Sequence, residues 1–175
     1  MVIRKRLEIS GPAMVFVTTT VTGWTPVFTL PETGKVVLEQ LKETLTFYGI
    51  SLVGYALMPT HLHMILGLPK VEELSRFVQT FKSLSSRRVK ELEIGAMAEK
   101  LNIQGEFRLW KPRFDDVVIF SEKQFRIKLD YIHNNPVKAG LVNRPTDWPF
   151  SSASQWFQDN PGLIAIDKQF MWLHE

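Results

Sequence analysis

The chain has 175 residues, of which 45% are hydrophobic and 22% charged, with a formal net charge of +3. This length suits one domain with a core of its own, and we expect residues 1–175 to form a single domain. No apolar run approaches the ~20 residues of a membrane-spanning helix, and the lack of cysteine excludes disulfides and thiolate zinc sites. These features predict an intracellular, cytoplasmic protein.

The first half of the chain predicts a strand, a helix and a pair of antiparallel strands. β-Branched and aromatic residues favour the first strand, and apolar residues at helical spacing, ending before Gly49, favour the helix. The short turn Met58-Pro59-Thr60 implies that the next two strands pair antiparallel. We place these four elements at residues 13–21, 31–48, 50–57 and 61–68.

Residues 70–92 predict a second helix, and residues 107–119 a strand that Pro112 interrupts. With a last helix, the order becomes the β-α-β-β-α-β pattern of a ferredoxin-like α+β fold with an antiparallel sheet. A less specific alternative is an α+β sandwich of another connectivity. We expect the core at about residues 13–142 and a C-terminal extension at about 143–175, which carries Trp148, Trp156 and Trp172.

The last predicted helix has a start signal and a stop signal. Ser121 is expected to cap its first turn, with Gln124 as the capping-box partner. Pro136 is expected to end it at about Asn134, because the residue before a proline disfavours helical angles. The predicted helix therefore covers residues 121–134.

His61 and His63 share one face of the third predicted strand. Side chains at i and i+2 point the same way, roughly 6.5–7 Å apart, whereas Leu62, Met64 and Leu66 point into the core. Two neutral imidazoles at this spacing can bind one cation between them. An isolated pair of this kind also occurs as ordinary polar residues on a half-exposed strand, so the pattern by itself is a weak signal.

Tyr131 and Asn135 lie four residues apart near the end of the last predicted helix, and so share one of its faces. Tyr131 has a phenol oxygen, a candidate nucleophile. Asn135 has a carbonyl oxygen, a candidate third ligand for a hard cation, with His133 and Asn134 as alternatives for that position. The plainer interpretation is that the tyrosine packs or hydrogen-bonds while the asparagines cap the helix before Pro136.

The strand motif is YALMPTHLHMIL, and the helix motif is YIHNNPVKAGLV. Together they resemble the single-tyrosine HUH transposases, and most of all the REP-associated tyrosine transposases. HUH denotes a histidine, a bulky hydrophobic residue and a histidine, which His61-Leu62-His63 match. The tyrosine helix of that family is matched at Tyr131 and Ile132, and again from Asn135 through Val142. Three other segments match the family in the same order: LSRFVQTFKS, LWKPRFDDVVI and WPFSSASQW. The resemblance therefore covers roughly residues 13–157.

Two positions depart from the family's pattern. Thr60 stands where these proteins usually have asparagine, a change that we expect to affect the turn more than the chemistry. The early loop, VTGWTPVF, lacks the arginines that family members commonly carry there. The DNA contacts that such arginines make are therefore not expected from this loop.

The resemblance implies a metal-dependent single-stranded DNA endonuclease and transposase. Its tyrosine, Tyr131 in this chain, attacks a phosphodiester and leaves a 5′-phosphotyrosine and a free 3′-hydroxyl. His61, His63 and Asn135 are then the ligands of Mg²⁺ or Mn²⁺, which polarises the scissile phosphate. The implied partner is hairpin-forming single-stranded DNA, bound by a monomer or a homodimer without membrane association.

Other basic and aromatic residues are candidates for contacting DNA. Cations can hold a phosphate backbone, and exposed aromatic rings can stack on unpaired bases. The alternatives are solvated surface charge and core packing. The candidates are Lys82, Arg87 and Arg88 on the second helix, Lys111 and Arg113 near the last strand, and Trp110, with Trp24 and Phe28 as further aromatic residues.

Two other functions are compatible with the same residues. A catalytically inactive or domesticated protein of this fold would bind single-stranded nucleic acid without cutting it. A less favoured hypothesis is a metallohydrolase in which His61 and His63 bind zinc and activate water. Replacing Tyr131 with phenylalanine separates the three functions, because only the transposase requires the phenol.

Overall fold

The structure, a computed structural model, describes residues 5–170, apart from the side chains of residues 5 and 7. Trp172 of the predicted C-terminal extension lies outside the described residues. In chain order the strands and helices are β1 (Ala13–Thr20), α1 (Pro31–Tyr48), β2 (Ser51–Met58), β3 (His61–Leu68), α2 (Leu74–Lys90), α3 (Met97–Lys100), β4 (Asn102–Ile103), β5 (Glu106–Phe107), β6 (Asp115–Ile119), α4 (Glu122–Lys138) and α5 (Ala153–Gln158). Short 3₁₀ turns lie at Lys5–Glu8, Thr22–Trp24, Val27–Thr29, Val71–Glu73 and Pro145–Asp147. Among the helices formed by residues 5–170, none combines the length and apolar character that crossing a membrane requires.

The main sheet has the strand order β2-β3-β1-β6, and neighbouring strands pair antiparallel. β1 and β2 therefore run in the same direction with β3 between them, and α1 makes the crossover that such a pair requires. This order is that of the ferredoxin-like fold, which confirms the predicted fold class. β4 and β5 form a separate two-stranded ribbon.

Both faces of the main sheet are covered, because side chains alternate between them along each strand. Leu62, Met64 and Leu66 lie on the face against α1 and α2, in the larger part of the core, as predicted. Helix α4 covers the other face. There Leu129 and Ile132 pack against a smaller apolar cluster: Met14, Phe16, Val53, Ala56, Ile65 and Ile119.

Helix α4 continues past the predicted end at Asn134, through Pro136 to Lys138. Proline removes one backbone donor, but here that loss falls in the last turns of a helix whose Pro136 ring is buried. Gly140, which follows the C-cap residue Ala139, has a φ of +71°, the left-handed conformation that commonly follows the end of a helix. As a consequence, Asn135 stays in helical register with Tyr131.

The strand predicted over residues 107–119 is wrong in its first half. Its beginning belongs to β5, which pairs with β4 in the small ribbon. The chain then meets the end of β1 at an isolated bridge between Trp110 and Val21, the residue that follows β1, and regular pairing with β1 begins at β6. Pro112 lies in this gap, where it has no N–H to donate to a neighbouring strand. The second predicted helix also begins later, with a 3₁₀ turn preceding α2.

Candidate active site

The two histidines lie at the start of β3, on the sheet face that α4 covers. The strand begins at His61 directly after the turn at Pro59 and Thr60, so alternation puts His61 and His63 on one face. Their ring centroids are 4.6 Å apart. His63 is buried and His61 is half-buried, and both line a cleft between the sheet and α4.

Two threonine hydroxyls orient the imidazoles. Thr18 Oγ1 lies 2.7 Å from Nδ1 of His63, and Thr60 Oγ1 lies 2.9 Å from Nδ1 of His61. When each Nδ1–H donates to its threonine, each Nε2 keeps its lone pair for a cation. Nε2 of His63 is buried without a hydrogen-bond partner in the described part of the chain, as a metal-ligand position would be. Thr60 therefore contacts a candidate site residue in addition to forming the turn.

Burial favours the neutral form of both imidazoles. Desolvation lowers the pKa of His61 below its usual value. It also lowers the pKa of His63 to about 3, with the nearby charges of His61 and Lys128 adding to the effect. Only a neutral imidazole has a lone pair for a metal ion, so the environment of His63 suits that role.

Helix α4 brings Tyr131 and Asn135 to the same cleft. The Tyr131 ring centroid is 5.4 Å from that of His63 and 6.1 Å from that of Phe16. Tyr131 is 42% exposed, so a substrate can approach this residue. The amide nitrogen of Asn135 is buried and has no hydrogen-bond partner within residues 5–170. An amide that is not engaged can turn its carbonyl oxygen toward a cation.

The two alternatives for the third ligand point elsewhere. His133 is buried, and its Nε2 lies 2.8 Å from Oγ of Ser152. Asn134 Nδ2 donates to the carbonyl of Asp130 at 2.9 Å. Residues 5–170 contain no group of three His, Cys, Asp or Glu side chains placed to hold a metal. The cleft lining offers an ion the amide of Asn135 and the carboxylate of Asp115 beside the two imidazoles.

Three cationic side chains line the cleft, which has a volume of about 550 Å³. Lys111 and Arg113 come from the segment before β6, and Lys128 comes from α4. Lys128 Nζ lies 4.8 Å from the ring centroid of Phe16. The sequence interpretation missed Lys128, although its position three residues before Tyr131 places both on one face of the helix.

The aromatic candidates differ in exposure. Trp110 is only 5% exposed, its ring packs near Phe28 and Phe81, and its Nε1 donates to Ser85 Oγ at 2.9 Å. Core packing therefore accounts for Trp110 and for the buried Phe28, and neither presents a ring face for base stacking in this structure. Trp24, in contrast, is 58% exposed at the rim of the cleft.

The basic candidates on α2 also differ in their contacts. Arg87 is exposed and lines a groove of about 530 Å³ beside the cleft. Arg88 forms an ion pair with Glu43 of α1 at 2.6 Å. Lys82 Nζ lies within hydrogen-bond distance of three consecutive carbonyl oxygens in residues 111–113. Contact of these residues with DNA stays a prediction. Of the three, Arg87 is the one that faces solvent without such an engagement among the described residues 5–170.

Comparison with known proteins identifies transposases among the relatives of this chain. The family described as Transposase IS200 like matches residues 17–135, which contain the two histidines, Tyr131 and Asn135. A REP-associated tyrosine transposase of Escherichia coli (strain K12) is 34% identical over 99 residues, which cover 57% of this chain and 52% of that protein. A Haemophilus influenzae protein described as a candidate REP-associated tyrosine transposase is 29% identical over 111 residues, covering 63% of each.

These matches span less than two thirds of the length of either relative. The fold is similar to a solved structure of a REP-associated tyrosine transposase bound to a REP hairpin, with a TM-score of 0.70 and 22% identity over 91% of this chain and 88% of that one. The family match alone covers more than half of the chain. The chain therefore belongs to the IS200-like transposase family, with REP-associated tyrosine transposases among its relatives.

Proposed function

We propose that this protein cleaves and rejoins single-stranded DNA in a metal-dependent reaction, with Tyr131 as the nucleophile. The observation that carries the proposal is the meeting of four side chains in one basic cleft: His61, His63, Tyr131 and Asn135. We infer that the substrate is single-stranded DNA next to a hairpin, because the structural relative is described as bound to a REP hairpin. Family membership supports a DNA-processing role of this class.

Tyr131 is the group that reacts with DNA. Its phenol oxygen attacks the scissile phosphorus and loses its proton, while the bond from phosphorus to the 3′ oxygen breaks and that oxygen takes up a proton. The products are a 5′-phosphotyrosine and a free 3′-hydroxyl. Attack of a 3′-hydroxyl on the phosphotyrosine reverses these steps and rejoins the strand. The number of phosphate ester bonds is conserved, so strand transfer needs no nucleotide hydrolysis.

The donor set fits a divalent cation. His61, His63 and Asn135 would hold Mg²⁺ or Mn²⁺, which when bound offsets the negative charge that builds on the non-bridging phosphate oxygens. The hydroxyl of Thr18 keeps the His63 ring oriented, and Phe16 stacks on the same ring with centroids 5.5 Å apart. The protein thus supports the ligands before any substrate arrives.

The remaining side chains of the cleft would hold the strand. Lys111, Arg113 and Lys128 line the same cleft as Tyr131, where they would bind the phosphates on either side of the cleaved bond. Trp24 presents its ring at the rim with Lys111 Nζ at 4.2 Å from the ring centroid. A base stacked on Trp24 would place its phosphate next to that cation.

A covalent-adduct experiment tests the proposal. The protein is incubated with Mn²⁺ and labelled single-stranded DNA carrying hairpins of varied sequence, and the products are separated on a denaturing gel. We expect a protein–DNA band with the wild type that disappears with Tyr131→Phe. The matched control is Tyr48→Phe, because Tyr48 bonds to Thr80 and does not line the cleft, and this variant should keep the band.

Each other outcome assigns a different function. Binding without an adduct or cleavage in the wild type would overturn the enzymatic proposal in favour of a non-catalytic binding protein. Cleavage that survives Tyr131→Phe and leaves no adduct would indicate that the histidines activate water. An adduct that persists in Tyr131→Phe and is lost in Tyr48→Phe would show that the nucleophile is misassigned.

A further inference from the structure

Lys82 is a half-buried lysine of α2 whose ammonium group is turned toward the backbone of residues 111–113. Its Nζ lies 2.6 Å from the carbonyl oxygen of Lys111, 3.3 Å from that of Pro112 and 3.1 Å from that of Arg113. An ammonium group has three N–H donors and no acceptor, so three carbonyls match its capacity. Burial lowers the pKa of Lys82 to about 8, which leaves the group mostly protonated at pH 7.

The segment held by Lys82 has little other support. Pro112 has no N–H, and the segment lies between the Val21–Trp110 bridge and β6, outside regular strand pairing. Within residues 5–170, Lys111 N donates to the carbonyl of Thr20 in β1 at 2.8 Å. Three successive carbonyls that converge on one cation fix the backbone of this irregular segment.

The same segment supplies cations to the cleft. Lys111 and Arg113 line it together with the histidines and Tyr131. The backbone carbonyls of the segment face Lys82, and two of its side chains line the cleft. Lys82 itself lines the neighbouring groove and is not among the residues of the cleft.

We propose that Lys82 is a positioning residue for DNA binding, which holds the backbone of residues 111–113 so that Lys111 and Arg113 meet the phosphates of the strand in the cleft. This inference rests on the proposed function. It replaces the expectation that Lys82 contacts DNA, because its donors are already used by carbonyl oxygens. A charge engaged in this way adds little to phosphate binding of its own.

A comparison of Lys82→Met in two backgrounds tests the proposal. Affinity for a fluorescent single-stranded oligonucleotide carrying a hairpin is measured by anisotropy at several salt concentrations, once with otherwise wild-type protein and once with Lys111→Ala and Arg113→Ala combined. Because residues acting through one another are not additive, we expect Lys82→Met to weaken binding about tenfold in the first background and less than about twofold in the second.

The other outcomes overturn the inference in distinct ways. An equal loss in both backgrounds, with an equal fall in the salt dependence, would mean that Lys82 contacts DNA directly. An unchanged affinity in both, with a lower unfolding midpoint, would mean that its role is only structural. The control is Lys90→Met, which removes the same charge from the exposed end of α2 and should leave affinity within about twofold.

A second readout does not depend on DNA. Hydrogen exchange of the peptide covering residues 109–116 should become faster in Lys82→Met and not in Lys90→Met, because the carbonyl contacts that hold the segment are gone. Unchanged exchange would overturn the positioning role whatever the binding data show. If the wild type binds no DNA while exchange responds as expected, the proposed function fails and the structural contact stands.

Discussion

At the residue level, two threonine hydroxyls orient the imidazole rings of His61 and His63. Thr18 comes from β1 and Thr60 from the turn before β3, yet both reach the Nδ1 atom of a histidine. The Nε2 atom of each ring is not used by these contacts. Second contacts of this kind fix the tautomer and the orientation of a ligating imidazole. In this chain threonine performs the orientation that a carboxylate or carbonyl commonly provides.

The proposed role of Asn135 as a metal ligand can be tested against the adjacent amide, Asn134. If it completes a metal site, Mn²⁺ should raise the unfolding midpoint of the wild type, since a ligand that binds only the folded state stabilises it by about 2.7 kcal/mol at 100 times its dissociation constant. We expect Asn135→Ala to lose most of that shift, measured by thermal unfolding with and without Mn²⁺.

Asn134→Ala is the matched control for this experiment. Asn134 is the adjacent amide on α4, but its side chain bonds to the carbonyl of Asp130 and does not line the cleft. It should keep the Mn²⁺-induced shift. Equal shifts in both variants would remove Asn135 from the proposed ligand set.

At the scale of elements, α4 is positioned by its ends and by a close approach to β2. Ser121 Oγ accepts from Gln124 N at 3.2 Å, which confirms the predicted cap. The Gln124 side chain accepts from Phe120 N, one residue before the cap. Near the other end, His133 contacts Ser152 of the C-terminal extension. The extension therefore helps to hold the helix that carries Tyr131.

Gly54 of β2 lies where α4 approaches the sheet. A Cβ at this position would lie 2.7 Å from Cδ1 of Leu129 and 3.4 Å from Cδ1 of Ile132. We expect Gly54→Ala to lower the free energy of unfolding by about 1–3 kcal/mol, as overpacking does, and to reduce adduct formation because α4 is displaced. Urea unfolding and the adduct gel measure the two effects.

A compensating substitution distinguishes this clash from a local backbone effect. Leu129→Ala removes the side chain that the new methyl group would meet, so the double variant should lose less stability than the sum of the single losses. Additive losses would show that contact with α4 is not the cause. The experiment therefore distinguishes a changed packing of α4 on the sheet from a change in the backbone of β2 alone.

At the scale of the whole molecule, the small net charge of +3 says less than the placement of the cations. Lys111, Arg113 and Lys128 lie around the cleft. Other basic residues are used within the fold: Arg88 pairs with Glu43, and Lys82 binds backbone carbonyls. The electrostatic attraction for DNA should therefore be concentrated at the candidate site.

The salt dependence of DNA affinity tests whether the cations around the cleft bind phosphates. Replacing one phosphate-binding cation should reduce the slope of log affinity against log salt by about 0.7 for single-stranded DNA. We expect this reduction in Lys128→Gln, measured by anisotropy with a single-stranded oligonucleotide. Lys123→Gln on the same helix changes the same charge at an exposed position outside the cleft lining and should leave the slope unchanged. The reverse pattern would place the DNA away from the cleft.

The order of the elements was predictable because their hydrophobic periods and turn signals are local. The end of α4 was not, since the rule that a proline disfavours a preceding helical residue is only a preference, and the packing of Pro136 and Ile132 overrides it. The strand over residues 107–119 was mispredicted for a related reason. Its first residues pair with a neighbouring ribbon, which no local pattern in that segment indicates.

The amino-acid sequence was enough to predict the ferredoxin-like order of elements, the common face of His61 and His63, and the common face of Tyr131 and Asn135. Those properties follow from side-chain periods along one strand and one helix. The docking of α4 on the sheet was needed to show that the two faces meet and that Thr18 and Lys128 lie beside them. The packing of α2 was needed to show that Trp110 is buried and that Lys82 is bound to backbone carbonyls. Such contacts join residues far apart in the chain, and their geometry depends on how the helices dock on the sheet.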